Sequence, residues 1–385
     1  MNARIELVEH LHAHPVSGVL AVTGGGAVLL ADLLTVPGAS ATVLEARVPY
    51  AGNALAQFIG AAPDQACSVQ TAGDIAMAAF QRAVALAPDE PQHRFGFGCT
   101  ASLATTSPKR GEHRAHIALQ TLAETRTWSV TFTKGARDRL AEERLLADIA
   151  LAAFAETFAL KPHLDLDLRT GEEIDSVRAV AQPGWDDILI GRIQATPVHR
   201  TDTPTVLFPG AFNPLHDGHV EMARHAERHY GDRVAFEICA NNVDKPQLNY
   251  IALQHRVSQF DATTPVWITN TATFVEKARR FPGVEFVVGV DTVSRIGEAK
   301  YYGNEPARLA SAVGELAALG CGFLVFGRAI AGRFSGLDDV ALPAALRALC
   351  TAVPEAEFRQ DVSSTELRNT RKGRQIGRAS CRERV

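Results

Sequence analysis

Residues 206–220 read VLFPGAFNPLHDGHV, and their pattern indicates how the second half of the chain folds. Its apolar start predicts a buried strand, which a glycine-containing turn connects to a helix that begins near His216. Gly210 and Gly218 allow a close approach of backbone and ligand, and the first amides of a helix favour an anion. His216 and His219 are three residues apart, so both can face one side of the helix start. The stretch therefore predicts an anion site between a strand and a helix.

The sequence after Pro204 has a regular pattern in which apolar runs alternate with segments of helical periodicity. We predict strands over residues 205–208, 234–240, 265–269, 284–290 and 322–326. Strands separated by helices imply right-handed crossovers and a parallel sheet covered on both faces. The predicted fold class is α/β with two domains, of which the C-terminal one is a Rossmann-like doubly wound parallel sheet. Ligands of such sheets bind beyond the carboxyl ends of the strands, at a topological switch point.

A second polar cluster lies late in the same half, where residues 361–368 read DVSSTELR. Its hydroxyl groups and helix-start amides can bind phosphate oxygens, and Arg368 adds a bidentate charged fork. Ser363 and Glu366 also fit a helix capping box, which is the favoured interpretation for the cluster alone. Together with the histidine motif, a phosphate site is favoured. Its members are Ser363, Ser364, Thr365 and Arg368.

The two motifs together resemble those of the nucleotidylyltransferase superfamily, which shares an HxGH motif and an SSTxxR motif. The resemblance covers about residues 203–374. It implies transfer of a nucleoside monophosphate from a nucleoside triphosphate to a phosphorylated acceptor, with Mg²⁺ as cofactor and pyrophosphate as product. By this likeness His216 and His219 stabilise charge on the reacting α-phosphate, and the serine-rich cluster binds the triphosphate. Alignment and electrostatic stabilisation would supply most of the rate, so no nucleophilic side chain is needed.

The same resemblance assigns nucleotide contacts to the turn after the first strand of this half. The residues concerned are Gly210, Ala211, Phe212 and Gly218. Related enzymes usually have a hydroxyl residue where this chain has Ala211. The backbone amide of Ala211 remains available to a phosphate oxygen.

Three further residues follow predicted strands at their carboxyl ends. Lys245 could reach a phosphate, although a solvated surface lysine is equally consistent with the sequence. Asp291 resembles the acidic residue that nicotinamide-nucleotide adenylyltransferases place near the nicotinamide amide. Arg328 is expected on the nucleotide side, and a surface arginine is the ordinary alternative. No metal ligand is predicted among the side chains.

Residues 1–164 form a first predicted domain, which is alanine-rich and reads as α/β, with strands such as 17–23 and 116–119. Its VTGGG at 22–26 follows a strand and opens a helix. Together with the turns at 36–40 and 48–50, this set resembles the CinA C-terminal family, some of whose members are nicotinamide mononucleotide deamidases. Those deamidases have a serine where this chain has Ala21, so hydrolysis through that hydroxyl is not expected.

Two residues of this first domain could offer a replacement nucleophile. They are Cys99 and Ser102, but no recognisable local pattern supplies a base for either. A small buried thiol and a turn serine are the favoured interpretations. The domain is therefore interpreted as a binding or architectural module.

Residues 165–203 are rich in charged residues and are interrupted by Pro and Gly. This composition predicts a linker, with a short helix over 174–181. The nucleotidylyltransferase domain is then expected over 204–374. Residues 375–385, QIGRASCRERV, resemble the translation of a sequencing adapter and are treated as an artefact, the alternative being a basic tail.

Composition limits the other possibilities. The 385 residues carry a formal net charge of −4, which provides no global basic field for nucleic acid or an anionic membrane. The six cysteines form no CxxC pair, and the sequence shows neither a signal peptide nor a credible membrane span. We expect a cytoplasmic protein whose partners are ATP or CTP and a small phosphorylated acceptor, with a homo-oligomer left open.

The two resemblances together favour transfer of AMP from ATP to nicotinamide mononucleotide. The runner-up is a cytidylyltransferase or another adenylyltransferase with a different phosphorylated acceptor. A non-catalytic nucleotide sensor is the alternative from another class, since Ala21 and Ala211 both replace expected hydroxyls.

Overall fold

The computed structural model describes residues 3–107, 109–199, 202–241, 246–330 and 333–359. The chain forms two compact units. The first unit comprises Met1–Arg192 and Asp244–Gln254, and the second comprises Ile193–Val243 and His255–Val385. The proposed adapter-derived residues 375–385 lie outside the described part.

The elements up to residue 192 include both helices and strands. The strands are β1 (Ser17–Thr23), β2 (Val43–Arg47), β3 (Arg94–Ser102), β4 (His113–Thr121), β5 (Glu124–Phe132) and β6 (Ile174–Val180). The helices are α1 (Ala3–Ala13), α2 (Ala27–Thr35), α3 (Ala39–Thr42), α4 (Gly52–Ile59), α5 (Val69–Leu86), α6 (Arg139–Phe158) and α7 (Trp185–Leu189). β3, β4 and β5 follow one another without an intervening helix.

The remaining part of the chain also contains strands and helices. The strands are β7 (Ala195–Pro197), β8 (Val206–Pro209), β9 (Val234–Cys239), β10 (Val266–Thr269), β11 (Glu285–Gly289), β12 (Gly322–Phe326), β13 (Arg328–Ile330), β14 (Arg333–Ser335) and β15 (Cys350–Val353). The helices are α8 (Asp217–Tyr230), α9 (Tyr250–Val257), α10 (Phe274–Arg280), α11 (Val290–Ile296), α12 (Pro306–Ala318) and α13 (Ala344–Arg347). Strands and helices alternate from β8 to α11.

The first unit is built on a mixed sheet with the strand order β2-β1-β3-β4-β5-β6. β1 runs parallel to both of its neighbours, and the other pairs are antiparallel. Successive residues of a strand point to opposite faces, and β3 uses both faces. Phe95 and Phe97 join the core that includes α6, whereas a Cβ at Gly96 or Gly98 would lie within 2.3 Å of an α5 carbonyl oxygen. Small residues on β3 therefore let α5 pack directly on the sheet.

The predicted linker over 165–203 is wrong. Residues 174–180 form β6, which pairs antiparallel with β5 at the edge of the first sheet, and β7 joins the second sheet. The predicted short helix at 174–181 is also wrong, because the backbone groups of this stretch pair with β5 instead of with each other. α7, whose Trp185 and Ile188 are buried, belongs to the first unit.

The first unit also contains a segment that is remote in sequence. Tyr250 is fully buried there; its backbone N–H donates to Thr125 Oγ1 at 3.0 Å and its hydroxyl donates to Leu122 O at 2.8 Å. Its ring stacks on Trp185. No pattern in the sequence predicts this return of the chain.

The second unit is built on a seven-stranded sheet with the order β15-β12-β11-β8-β9-β10-β7. All its pairs are parallel except that of β7 with β10. The chain runs from β8 outward through β9 and β10, and then returns to the other side of β8 as β11. The predicted Rossmann-like parallel sheet is confirmed, and its switch point lies between β8 and β11. None of the described helices has the length and apolar character needed to cross a bilayer.

Candidate active site

The turn between β8 and α8 sits at the carboxyl end of the strand beside the switch point. Phe212, in this turn, is 1% exposed and has a positive φ of 41°. A Cβ on Gly210 would lie 2.4 Å from Cζ of the Phe212 ring, so glycine at 210 lets that ring fold under the turn. Gln259 braces the same turn, since its Nε2 donates to Phe212 O at 2.7 Å and its Oε1 accepts from Leu215 N at 2.8 Å. No sequence motif indicates this role of Gln259, because the residue lies 44 positions or more from its partners in the turn.

The two motif histidines lie together at the start of α8. Their rings stack with centroids 3.6 Å apart and planes 25° apart. The backbone N–H of His216 donates to Nδ1 of His219 at 3.3 Å. Because Nδ1 accepts this bond, a neutral His219 carries its proton on Nε2. His219 is therefore held as a hydrogen-bond donor through Nε2.

Burial controls the charge of this pair. Burial lowers the pKa of His219 to about 3, with the neighbouring His216 as a second cause. Burial also lowers the pKa of His216, against the opposing effect of Asp217. Both rings are consequently neutral donors near pH 7, and a bound anion would raise both pKa values.

One atom of the pair has no partner. His216 Nδ1 is buried and makes no hydrogen bond within the described part of the chain. An unsatisfied buried polar atom costs about 1–3 kcal/mol, so such an atom at a surface turn indicates a position for a ligand. The first-turn amides of the 14-residue helix α8 add the positive end of its dipole. The arrangement can bind a phosphate and donate hydrogen bonds to charge that develops on it.

The other predicted turn residues contribute through their backbone. The Phe212 ring packs against the rings of Phe208, Phe236 and Phe260, with centroids 5.3–5.6 Å apart, so it does not face a ligand. Ala211 is exposed and Gly218 is buried. A nucleotide contact by these residues can only be made by the peptide groups.

Asp291 and Arg328 were expected in different parts of the site, but the structure pairs them. Asp291 lies in the first turn of α11 after β11, and Arg328 follows β12. The two strands are parallel neighbours, with Gly289 opposite Phe326, so their carboxyl ends bring the two side chains together. They form an ion pair in which each side chain is 47% exposed. A triphosphate that uses Arg328 must therefore compete with Asp291.

Several predicted residues cannot be placed. Lys245, Ser363, Ser364, Thr365 and Arg368 lie outside the described residues.

The last described segment nevertheless returns to the carboxyl edge of the sheet. Phe358 packs on Phe326 at the end of β12, with ring centroids 4.9 Å apart. The neighbouring Glu357 lies 3.7 Å from Nε2 of His225 on α8.

A polar network beneath the ends of β9 and β10 was also missed. Lys277 Nζ donates to Glu237 Oε1 and to Thr271 O, both at 2.7 Å, and Glu237 accepts a further bond from Thr269. Lys277 and Glu237 are 4% and 1% exposed. Oppositely charged residues 40 positions apart give no local pattern, so only the packing of α10 on the sheet shows the pair. It fixes the strand ends that border the site.

The described residues contain no group of three or more side chains suited to hold a metal ion. Mg²⁺ is commonly bound by one or two carboxylates together with substrate phosphates, not by a protein cage. Asp217, exposed in the first turn of α8, and Asp291 are carboxylates that could share an ion with a triphosphate.

The corresponding turn of the first unit has a different chemistry. Ala21 lies in an apolar cluster with Leu55, Ile59 and Ile75, so the position where the resemblance expects a hydroxyl is lined by hydrocarbon. Cys99 is fully buried, and burial raises the pKa of its thiol. Cys99 is therefore unsuited to act as a nucleophile.

Comparison with protein families identifies the second unit. Residues 207–370 match the model of the cytidylyltransferase-like family. The second unit contains a cytidylyltransferase-like domain. The matched range of this domain includes the histidine pair, Asp291, Arg328 and the serine-rich segment. The superfamily resemblance stated from the motifs is confirmed, and the domain is of the nucleotidyltransferase type.

Solved structures similar to the chain cover its N-terminal ~40%. They include the competence/damage-inducible protein CihA of Agrobacterium tumefaciens, at 17% identity and a TM-score of 0.32, covering 40% of this chain and 94% of that one. A competence damage-inducible protein A (ComA) of Klebsiella pneumoniae has 18% identity, a TM-score of 0.33 and coverage of 41% and 98%. A competence or damage-inducible protein of Enterobacter asburiae has 18% identity, a TM-score of 0.33 and coverage of 41% and 99%. No curated protein matches the chain.

Proposed function

We propose that the cytidylyltransferase-like domain transfers AMP from ATP to a phosphorylated acceptor, nicotinamide mononucleotide, with release of pyrophosphate. The observation that supports this most is the neutral histidine pair at the start of α8. It combines a fixed Nε2–H donor on His219 with an unpartnered buried nitrogen on His216, beside the switch point of a parallel sheet.

The chemistry follows from where charge develops. When the acceptor phosphate attacks the α-phosphate, negative charge grows on the oxygens of the reacting phosphorus. The Nε2–H of His219 and the first amides of α8 would donate hydrogen bonds to such oxygens, and donors fixed in advance favour the transition state. Mg²⁺, carried with the triphosphate, would neutralise charge on the leaving pyrophosphate.

The choice of acceptor rests on Asp291. Its carboxylate is held at the end of β11 by Arg328 and can accept a hydrogen bond from a carboxamide N–H. Arg328, once released, can bind a phosphate through two of its N–H groups. Transfer of CMP from CTP is the alternative, favoured by the family whose model matches the domain.

The test is pyrophosphate release by the full chain with Mg²⁺ and either ATP or CTP, against a panel of phosphorylated acceptors. We expect ATP with nicotinamide mononucleotide to give stoichiometric pyrophosphate and a dinucleotide. Release only with CTP or with another acceptor would overturn this substrate choice. Tight nucleotide binding without pyrophosphate from any pair would instead indicate a sensor.

The assigned role of His219 has its own test. We expect His219→Ala to lower kcat by about 10²- to 10³-fold, the loss typical of removing one preorganised donor. His229→Ala is the matched control, because His229 is an exposed histidine in the last turn of the same helix. Equal activity of the two variants would exclude a catalytic role for His219.

A further inference from the structure

A glutamine side chain of the second unit holds the turn that carries the chain from β8 into α8. Gln259 follows the end of α9 by two residues and is half-buried. Its Nε2 donates to Phe212 O at 2.7 Å, and its Oε1 accepts from Leu215 N at 2.8 Å. A single planar amide therefore fixes two peptide groups of the turn, one on each side of residues 213 and 214.

The amide of Gln259 is itself held in place. Its Nε2 also donates to Arg256 O, in the last turn of α9, at 3.2 Å. The next residue, Phe260, is buried, and its ring packs against the rings of Phe212 and Phe236 with centroids 5.6 and 4.9 Å apart. A side chain that is locked by packing and by its own hydrogen bonds can hold a neighbouring segment in one geometry.

The hydrogen bond to Phe212 O affects the position of His219. Phe212 has a φ of 41°, a left-handed conformation that costs free energy in a residue with a side chain and persists only where the surroundings fix it. Its ring meets the ring of His219 at 80°, with centroids 5.1 Å apart. Without the bond from Gln259, the backbone at Phe212 can relax towards negative φ, which would withdraw the ring that supports His219.

The hydrogen bond from Leu215 N affects the position of His216. Leu215 immediately precedes His216, so the peptide group that Gln259 holds sets the direction in which the backbone enters α8. The backbone N–H of His216 in turn donates to Nδ1 of His219 at 3.3 Å, which is long for a hydrogen bond. A small rotation of the entering backbone would break this bond, and His219 could then carry its proton on Nδ1 instead of Nε2.

We infer that Gln259 is a positioning residue for nucleotidyl transfer, because it keeps the Nε2–H of His219 directed at the reacting phosphate through both Phe212 and Leu215. The inference rests on the function proposed for the second unit and adds a residue to its machinery. The signal is absent from the two motifs, since Gln259 lies in neither of them.

The first test does not require activity. The ring ¹⁵N shifts of the full chain at pH 7 report which nitrogen of His219 carries the proton, and we expect Nε2 in the unaltered protein. Gln259→Ala should give a mixture of the two tautomers. Gln254→Ala, which removes an exposed side chain of α9, is the matched control and should leave the tautomer unchanged. An unchanged tautomer in Gln259→Ala would overturn the inference, whether or not transfer is detected.

The second test measures the rate of pyrophosphate release. We expect Gln259→Ala to lower kcat by about 10- to 100-fold with a change of less than about 3-fold in KM for ATP, since a small misplacement of a reacting group mainly slows the chemical step. Normal kcat together with mixed tautomers would contradict the positioning role. If the unaltered chain releases no pyrophosphate with any substrate pair, the proposed function fails, and the ring shifts still decide whether Gln259 positions His219.

Two further variants keep the size of the side chain in case Gln259→Ala does not fold. In Gln259→Glu a protonated carboxyl can donate to Phe212 O and accept from Leu215 N, whereas an ionised carboxylate can only accept. Its kcat, divided by that of the unaltered chain at the same pH, should therefore fall as the pH rises through the pKa of that carboxyl. Gln259→Met can make neither bond and should have a low kcat at every pH. A ratio near unity at all pH values in both variants would overturn the inference.

Discussion

The two units each contain a strand, a glycine-containing turn and a helix, but they use the start of that helix differently. In the first unit the N-terminus of α2 is occupied, because Glu143 Oε1 of α6 accepts from Val28 N at 3.2 Å. In the second unit the N-terminus of α8 meets a neutral histidine pair with one unpartnered nitrogen. A buried carboxylate would repel a phosphate, whereas neutral donors would bind it. The same local pattern therefore predicts a phosphate site only when the neighbouring element leaves the amides available.

Substitution of the glycines in the two turns should give the largest difference, which we expect in the free energy of unfolding. Gly24 has a φ of +72°, and a Cβ there would lie 2.0 Å from Ala101 O, which is backbone and cannot move aside. We expect Gly24→Ala to lower the free energy of unfolding by more than about 2 kcal/mol. At Gly210 the added Cβ would meet the Phe212 ring, which is a side chain. Gly210→Ala should therefore lower the free energy of unfolding by only about 1–3 kcal/mol, through overpacking. Chemical denaturation of both variants measures the difference, and a costlier Gly210→Ala would reverse this ranking.

A smaller effect on the free energy of unfolding is expected from the hydrogen bond between Glu143 and the start of α2. Removing it in Glu143→Ala should cost about 1–2 kcal/mol of stability, as for a lost helix cap. Part of that loss should be restored by millimolar phosphate, because the helix start becomes available to an anion. Glu143→Gln keeps an acceptor for Val28 N and serves as the control. If phosphate stabilises neither variant, the carboxylate is not what excludes anions from α2.

These two regions also show what the sequence could and could not predict. The strand, turn and helix at 206–220 and the parallel sheet followed from short-range patterns, because periodicity and glycine placement are local properties. The occupation of α2 by Glu143 did not, since the partner comes from a helix 115 positions away. β6 was missed because its backbone is satisfied by β5, a long-range pairing, and six of its seven residues are not buried.

The site residues show the same contrast between short-range patterns, which the sequence reveals, and long-range contacts, which it does not. His216 and His219 were found because they are neighbours on one helix. The Asp291–Arg328 ion pair joins two predicted residues that are 37 positions apart. Only the adjacency of β11 and β12 reveals that the two side chains bind each other.

The protonation state of His219 should change little over the physiological pH range. With a pKa of about 3, His219 should remain neutral from pH 8 to pH 5, as followed by its ring ¹⁵N shifts. The folded-state pKa lies below the ordinary value near 6.5, so the stability contributed by the neutral ring is complete above pH 6.5. It is lost progressively as the pH falls from 6.5 towards 3. Protonation of His219 at pH 6 in the free protein would contradict the neutral-donor description.

The smallest effect is expected from the exposed ion pair. Asp291→Asn should lower KM for the nucleotide by at most about 5-fold, because exposed pairs contribute about 0–1 kcal/mol and Arg328 is freed. The same variant should raise KM for the acceptor. Glu315→Gln, which breaks another exposed pair with Arg279 in the same unit, should change neither KM. A rise in nucleotide KM in Asp291→Asn would show that Asp291 assists Arg328 instead of competing with it.

We expect the start of α8, and not the start of α2, to bind the triphosphate. The most direct measurement is a ¹H–¹⁵N amide titration of the full chain with ATP and Mg²⁺. We predict saturable shifts at Asp217 and Gly218, with Ala27 and Val28 unchanged. Shifts at Ala27 and Val28 with none at Asp217 and Gly218 would show that the triphosphate binds at the start of α2 instead.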